Sequence, residues 1–160
     1  MSTMIPSPAV NHVPTGTGGI GRGDLMRFYR EFFLPAIPPS LNMRLVARTC
    51  GVDRVVDELV VSLRHTQELP WLLPGIPPTN KPLQFAMVSS VAVRGGKFVS
   101  ERVYWDQAGV LVQAGLLDPK AAVPPALRQK GVERLPVLPE SAKKVLDEES
   151  VPSNELIDEW

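Results

Sequence analysis

Val93–Leu117, with the sequence VRGGKFVSERVYWDQAGVLVQAGLL, predicts more of the fold than any other segment of this chain. Its start, Arg94–Lys97, contains two consecutive glycines and has the composition of a hairpin turn. Phe98–Asp106 then has the residue types of a strand, and it runs directly into the apolar segment Gly109–Leu117, which fits a short buried helix. The segment therefore predicts the last strand of a hairpin followed by a helix.

A carboxylate, Asp106, lies at this junction between strand and helix. The period of two in a strand separates two faces, which carry Arg102, Tyr104 and Asp106 on one side and Glu101, Val103 and Trp105 on the other. An acid between an apolar strand and an apolar helix is expected to be partly desolvated, and desolvation prepares a carboxyl group for proton transfer. An Asp at this position is also an ordinary helix N-cap, and the spacing leaves both roles open.

Length and composition indicate one domain. The chain has 160 residues, 17 basic and 17 acidic side chains and a single cysteine, Cys50. Zero formal charge, without a basic block, argues against a nucleic-acid partner, and it makes a homodimer plausible because net repulsion between copies is weak. A lone cysteine, expected to be a small buried thiol, fits a reducing compartment. With no apolar run of membrane-spanning length and no signal peptide at the start, we expect no membrane partner and a cytoplasmic location.

Composition divides the chain into three parts. Residues 1–23, rich in Pro, Gly, Ser and Thr, are expected to form a flexible N-terminal arm. Residues 24–120 are expected to form an α+β domain that opens with a helix over Asp24–Phe33, capped by Asp24 and carrying an aromatic stripe that includes Phe28. Residues 121–160 are predicted to be a Pro-rich extended tail, with a short helix from Ser141 to Glu148, that packs on the domain or on a partner.

The middle of the chain predicts a curved antiparallel sheet covered by helices. Four segments either alternate apolar and polar residues or contain residue types typical of strands: Asn42–Cys50, Arg54–His65, Leu83–Val93 and Phe98–Asp106. In the second of them, the face predicted to point inward carries Val55, Asp57, Leu59, Val61, Leu63 and His65. Asp57 and His65 are polar groups at buried positions, and such groups need hydrogen-bond partners. Each is therefore either a structural group or a member of a site.

The segment Glu68–Lys81 contains four prolines and a glycine, which favour a loop over regular structure. It nevertheless carries Trp71 and several aliphatic residues. A rigid apolar loop of this kind commonly folds over a cavity or a neighbouring subunit.

Three stretches together resemble the SnoaL-like branch of the nuclear transport factor 2-like superfamily. They are VDRVVDELVVSLRHTQELPWLLPGIPPTNK from Val52, VRGGKFVSERVYWDQ from Val93 and AGVLVQAGLL from Ala108. The resemblance implies a cone-shaped, bent antiparallel sheet that wraps around helices and leaves a deep apolar pocket. The family opens with longer helices, whereas here a single helix precedes the first predicted strand, so the pocket is expected to be open or closed by a second subunit.

The resemblance also implies site residues. In SnoaL-type cyclases an Asp at the position of Asp106 is the general acid/base, so catalysis is expected from Asp106, with His65 as its polar partner. The residues expected to bind substrate are Arg102, Tyr104, Asp57, Trp71, Leu59 and Phe28. Relatives carry His where this chain has Arg102, a fixed cation that holds a carboxylate ionised but cannot shuttle a proton. His12 resembles a family segment that reaches the cavity, although an exposed His in a loose arm is the simpler expectation.

Three functions are compatible with these features. The first is a cofactor-independent enzyme of cyclase, isomerase or lyase type, with no cofactor or metal, acting on a small hydrophobic molecule that bears a carbonyl group. The second is a binding protein that uses the same pocket without chemistry, and the third is a dimeric scaffold. Fold alone does not separate them.

Overall fold

The computed structural model describes residues 3–157, which form a six-stranded sheet and four α-helices. The strands are β1 (Met4–His12), β2 (Thr17–Ile20), β3 (Asn42–Cys50), β4 (Arg54–Arg64), β5 (Pro82–Arg94) and β6 (Lys97–Trp105). The helices are α1 (Gly21–Arg27), α2 (Gln107–Gln113), α3 (Pro125–Arg128) and α4 (Ser141–Leu146). The order across the sheet is β2-β1-β6-β5-β4-β3. The predicted α+β class is confirmed.

The four predicted strands are present as β3 to β6, each within one residue of its expected bounds. They form a continuous antiparallel meander, because each pairs with the next along the chain. The turn between β5 and β6 holds Gly95 and Gly96 at φ angles of 55° and 68°, a left-handed conformation that suits glycine.

The N-terminal arm is ordered, contrary to the expectation of a flexible segment. β1 pairs antiparallel with β2 and parallel with β6, so the sheet gains two strands and one parallel pair. Burial explains the difference, since Val10 and His12 become 3% and 5% exposed once β1 lies beside β6. A segment too polar to order itself alone is thus stabilised by non-local pairing.

The helical segment after β2 is longer and less regular than predicted. It begins at Gly21, and Asp24 lies in the first turn of α1 instead of capping it. Beyond α1 the chain continues as a π-helical turn, Phe28–Phe33, and a 3₁₀ turn, Leu34–Ala36, which contains the expected helix stop at Pro35. The wider π turn rotates the aromatic stripe, so that Phe32 is 41% exposed while Tyr29 and Phe33 pack against the core.

The C-terminal part packs on the sheet. Ala142 in α4 is 1% exposed, and α4 contacts β5 and β4. The Gln113 side chain extends the hydrogen bonding of β5 beyond the end of β6: its Oε1 accepts from the Gln84 N–H at 2.7 Å, and its Nε2 donates to the Gln84 carbonyl at 2.8 Å. The last three residues of the predicted tail, 158–160, lie outside the described residues.

β3 forms one edge of the sheet and is exposed along its whole length, including Cys50, which was expected to be buried. A bulge between Leu45 and Ala47 interrupts its pairing with β4. The bulge shifts the alternation by one residue, so Arg48 lies on the same inner face as Leu45.

Among residues 3–157, no helix is both long enough and apolar enough to cross a membrane.

The β1–β2 hairpin gives a direct test of the fold. Gly18 has φ +135°, and a Cβ there would overlap the Val10 carbonyl, so we expect Gly18→Ala to lower the free energy of unfolding by about 3 kcal/mol. Gly16 has φ +65° with open space around it, and Gly16→Ala should cost only about 1 kcal/mol. Urea titrations of both variants measure the difference. Equal effects would contradict the tight approach of β2 to β1.

Candidate functional site

The concave side of the sheet encloses a cavity of about 410 Å³ with predominantly apolar walls. Its lining comes from β1, the π-helical turn, the loop after β4 and the inner faces of β3 to β6. Five side chains of the described residues bring polar or ionisable groups to it: His12, Tyr29, Asp57, Ser89 and Glu101. Apolar walls with a few convergent polar groups are typical of small-molecule sites.

Glu101 is the acid that β6 turns toward the cavity. The inner face of β6 carries Glu101, Val103 and Trp105, so the face chosen from the sequence was the wrong one. The Ser89 hydroxyl on β5 donates to Oε1 of Glu101 at 2.7 Å. Among the ion pairs of residues 3–157, none involves Glu101. The carboxylate is held by hydrogen bonds, without a salt-bridged cation.

Tyr29 reaches the same carboxylate from the π-helical turn. Burial raises the pKa of Tyr29 to about 12, and the charge of Glu101 and a hydrogen bond to it add to the rise. The phenol is therefore protonated at neutral pH and donates to Glu101.

Asp57 lines the cavity as predicted, and it is paired with Arg48. The guanidinium donates through Nε and Nη2 to the two carboxylate oxygens at 2.6 and 2.7 Å. The hydrogen bond from Arg48 lowers the pKa of Asp57, so this carboxyl is ionised and already neutralised. Arg48 shares a face with Asp57 because of the bulge in β3, which leaves no mark in the residue pattern.

His12, at the end of β1, is buried among aromatic rings. The rings of Phe28, Phe33, Trp71 and Trp105 lie 5.4 to 6.1 Å from its own, centroid to centroid. Burial lowers the pKa of His12 from 6.5 to about 4, so the imidazole is neutral at pH 7. The simpler expectation, an exposed His in a loose arm, is wrong.

Asp106 does not belong to the cavity, which corrects the expected catalytic role. Its side chain is exposed, and Oδ1 accepts a hydrogen bond from the Gly109 N–H at 3.0 Å, as the N-cap of α2. Arg102 and Tyr104 lie on the same outer face of β6 and are also exposed, so the structure does not place these two predicted substrate ligands at the cavity. The physical reason is the alternation of β6, whose inward residues are the intervening ones.

His65 is fully buried, yet it does not line the cavity. Its Nδ1 accepts from the Thr79 N–H at 3.3 Å, and its backbone N–H and carbonyl bond Lys81 and Asn80. Burial lowers the pKa of His65. The structure gives His65 the role of fastening the loop of residues 66–80 to the end of β4, in place of the expected catalytic one.

Of the other predicted substrate-binding residues, Trp71 and Leu59 line the cavity, while Phe28 lies behind it against His12. Glu101 and Tyr29 were not among the residues predicted from the sequence. Glu101 was visible as the acid on the alternative face of β6, but Tyr29 reaches the cavity only because the π turn rotates the helix.

This chain is similar to several solved structures in its fold. No family model and no curated protein matches the sequence. A protein provisionally assigned as a SnoaL-like polyketide cyclase, from Jannaschia sp. CCS1, superimposes with a TM-score of 0.58 at 17% identity, covering 72% of this chain and 76% of that one. AclR, provisionally assigned as a hydroxylase, from Streptomyces galilaeus, gives 0.53 at 19% identity over 80% and 77%.

A Xanthomonas campestris protein of unknown function with a cystatin-like fold gives a TM-score of 0.50 at 14% identity, covering 71% of this chain and 79% of that one. All three identities are low, so the similarity concerns the fold. The expected resemblance is confirmed at that level: this chain has the fold of proteins described as SnoaL-like and as cystatin-like.

Proposed function

We propose that this chain is a SnoaL-like enzyme that moves a proton at the carbon next to a carbonyl group of a small hydrophobic substrate, with Glu101 as the base. One observation carries the proposal: Glu101 lies in an apolar cavity without an ion-pair partner among the described residues. A carboxylate that needed only structural compensation would be expected to face a cation or solvent. The polyketide cyclase assignment of the Jannaschia protein is compatible with such a substrate.

The neighbours of Glu101 suit a base that changes charge during the reaction. Ser89 and Tyr29 both hydrogen-bond the carboxylate and orient it toward the cavity. When Glu101 accepts the substrate proton, its negative charge is lost and negative charge develops on the carbonyl oxygen. The Tyr29 hydroxyl, still protonated at neutral pH, is then released to donate to the enolate.

The cavity also limits the substrate. About 410 Å³ is at the lower end of the range of ligand cavities and fits a molecule of two or three fused rings. Leu59, Trp71 and other apolar side chains provide most of the contact area, so binding derives mainly from burial of apolar surface.

A binding protein without chemistry is the second candidate. The observation that favours it is that Glu101 already receives two hydrogen bonds, which a structural carboxylate would also need. Such a protein would gain stability from a hydrophobic ligand but show no proton exchange.

A homodimer is compatible with either candidate. Val88 and Tyr104 pair across β5 and β6 and are 36% and 42% exposed on the outer face of the sheet. We propose that a second copy packs on this pair. Light scattering of the wild type and of Tyr104→Glu measures whether the dimer forms there.

The proton-transfer proposal predicts the effect of removing the base. With β-tetralone as probe in D₂O, Glu101→Gln should reduce deuterium incorporation next to the carbonyl, measured by NMR, by at least about 100-fold. Asp106→Asn is the matched control, because Asn also caps a helix and Asp106 lies outside the cavity; exchange should be unchanged. Loss of exchange in the Asp106 variant but not in the Glu101 variant would reverse the assignment.

The lowered pKa of His12 leads to a prediction of how the stability of the fold depends on pH. The unfolded chain binds a proton at this residue near pH 6.5, whereas the folded chain does so only near pH 4. Acid therefore favours unfolding between these values, and the free energy of unfolding should fall by about 3 kcal/mol from pH 6.5 to pH 4 on account of His12. In His12→Phe the dependence should be weaker, with a remainder from His65, whose pKa is lowered too. Denaturant titrations measure the free energy of unfolding at each pH. If it depended on pH equally in the wild type and in His12→Phe, a desolvated His12 would be contradicted.

A further inference from the structure

We propose that Nε2 of His12 accepts a hydrogen bond from a hydroxyl group of the ligand, so that the cavity selects hydroxylated hydrophobic molecules over analogues without the hydroxyl. The proposal deepens the proposed function, since it uses the same cavity, but it concerns binding and not proton transfer.

The proton on the His12 ring is located by a short chain of hydrogen bonds. Nδ1 lies 3.1 Å from the Thr17 hydroxyl, which lies 3.0 Å from the Thr15 hydroxyl. The Trp71 carbonyl, which can only accept, lies 2.9 Å from Thr15 Oγ1 and 3.3 Å from Thr17 Oγ1. In the arrangement that uses every donor, Nδ1–H donates to the Thr17 hydroxyl. Both threonine hydroxyls then donate toward the Trp71 carbonyl. Nε2 then carries a lone pair.

The aromatic rings around His12 leave that lone pair without a protein donor. Phe28 and Phe33 have no N–H or O–H group in their side chains. Trp105 donates its Nε1–H to Gln107 Oε1 at 2.6 Å, and Trp71 Nε1 is buried with no hydrogen-bond partner among the described residues. Within residues 3–157, this chain of hydrogen bonds therefore reaches the His12 ring at Nδ1 alone. Because His12 lines the cavity, a ligand is the group positioned to serve Nε2.

The chemistry of the ring selects the type of ligand group. A neutral imidazole nitrogen accepts a hydrogen bond, so it favours a donor such as a hydroxyl. The apolar rings disfavour an imidazolium, so an anionic ligand gains no ion pair from this residue. A site that offers a buried acceptor rejects analogues that lack the donor.

Binding of two probes to the full chain measures this selection. β-Naphthol should bind the wild type about tenfold more tightly than naphthalene, measured by calorimetry or ligand fluorescence. His12→Phe keeps an aromatic side chain in the cage and should remove the preference. Thr17→Val should reduce it, and Thr17→Ser, which keeps the hydroxyl, should retain it. A preference that survives in His12→Phe and disappears in Glu101→Gln would overturn the proposal, since Glu101 would then be the acceptor.

The tautomer of His12, which is the ring nitrogen that carries the proton, gives a second test of the proposal. The chain has two histidines, and the structure assigns them opposite tautomers: Nδ1–H for His12, and Nε2–H for His65, whose Nδ1 accepts from the Thr79 N–H. Long-range proton–nitrogen correlation spectra at pH 7 should show both patterns side by side. In Thr17→Val only the His12 pattern should change. A protonated Nε2 on His12 in the wild type would overturn the proposal.

The two proposals fail separately. If β-tetralone undergoes no exchange in the wild type while the hydroxyl preference depends on His12, the proton-transfer function is wrong and the His12 site stands. If exchange depends on Glu101 while the hydroxyl preference is absent, the His12 site is wrong and the function stands.

Discussion

The parallel pairing of β1 with β6 is the interaction on which the cavity depends. It aligns Val10 with Glu101 and His12 with Val103, so the end of β1 lies beside the acid that β6 turns inward. The same pairing carries β2 and α1 with it, and thereby positions the π-helical turn that delivers Tyr29. Without it, Glu101 would lie on an edge strand open to water. The pairing of β1 with β6 thus brings together His12 from β1, Glu101 from β6 and Tyr29 from the π-helical turn.

The polar groups of the cavity differ in their charge state because each is compensated differently. Asp57 is neutralised by Arg48, His12 is kept neutral by desolvation, and Tyr29 is kept protonated by burial and by the carboxylate beside it. Glu101 is the one cavity carboxylate among the described residues that has hydrogen bonds but no cation. Environment, more than residue type, therefore distinguishes these groups.

Local patterns predicted the strands well and the site poorly, for physical reasons. The alternation of β4 correctly placed Asp57 and Leu59 inward, because one of its faces is clearly more apolar. On β6 a register shift falls within the strand, between the pairs Val93–Phe98 and Ala92–Ser100, so the inward face is decided by pairing with β5 and β1. The ordering of residues 4–20 depends on the same non-local pairing, which composition does not record.

The bulge in β3 has an effect beyond Arg48. An outermost strand with nine exposed residues offers unpaired amide and carbonyl groups that would template the addition of another chain. The irregularity after Leu45 breaks the flat repeat that such stacking requires, and Arg44 adds a charge at the border. The residue inserted at Val46 thus limits fibril-like growth of this sheet. Deleting it would keep Arg48 opposite Asp57 and would lengthen a straight, adhesive margin.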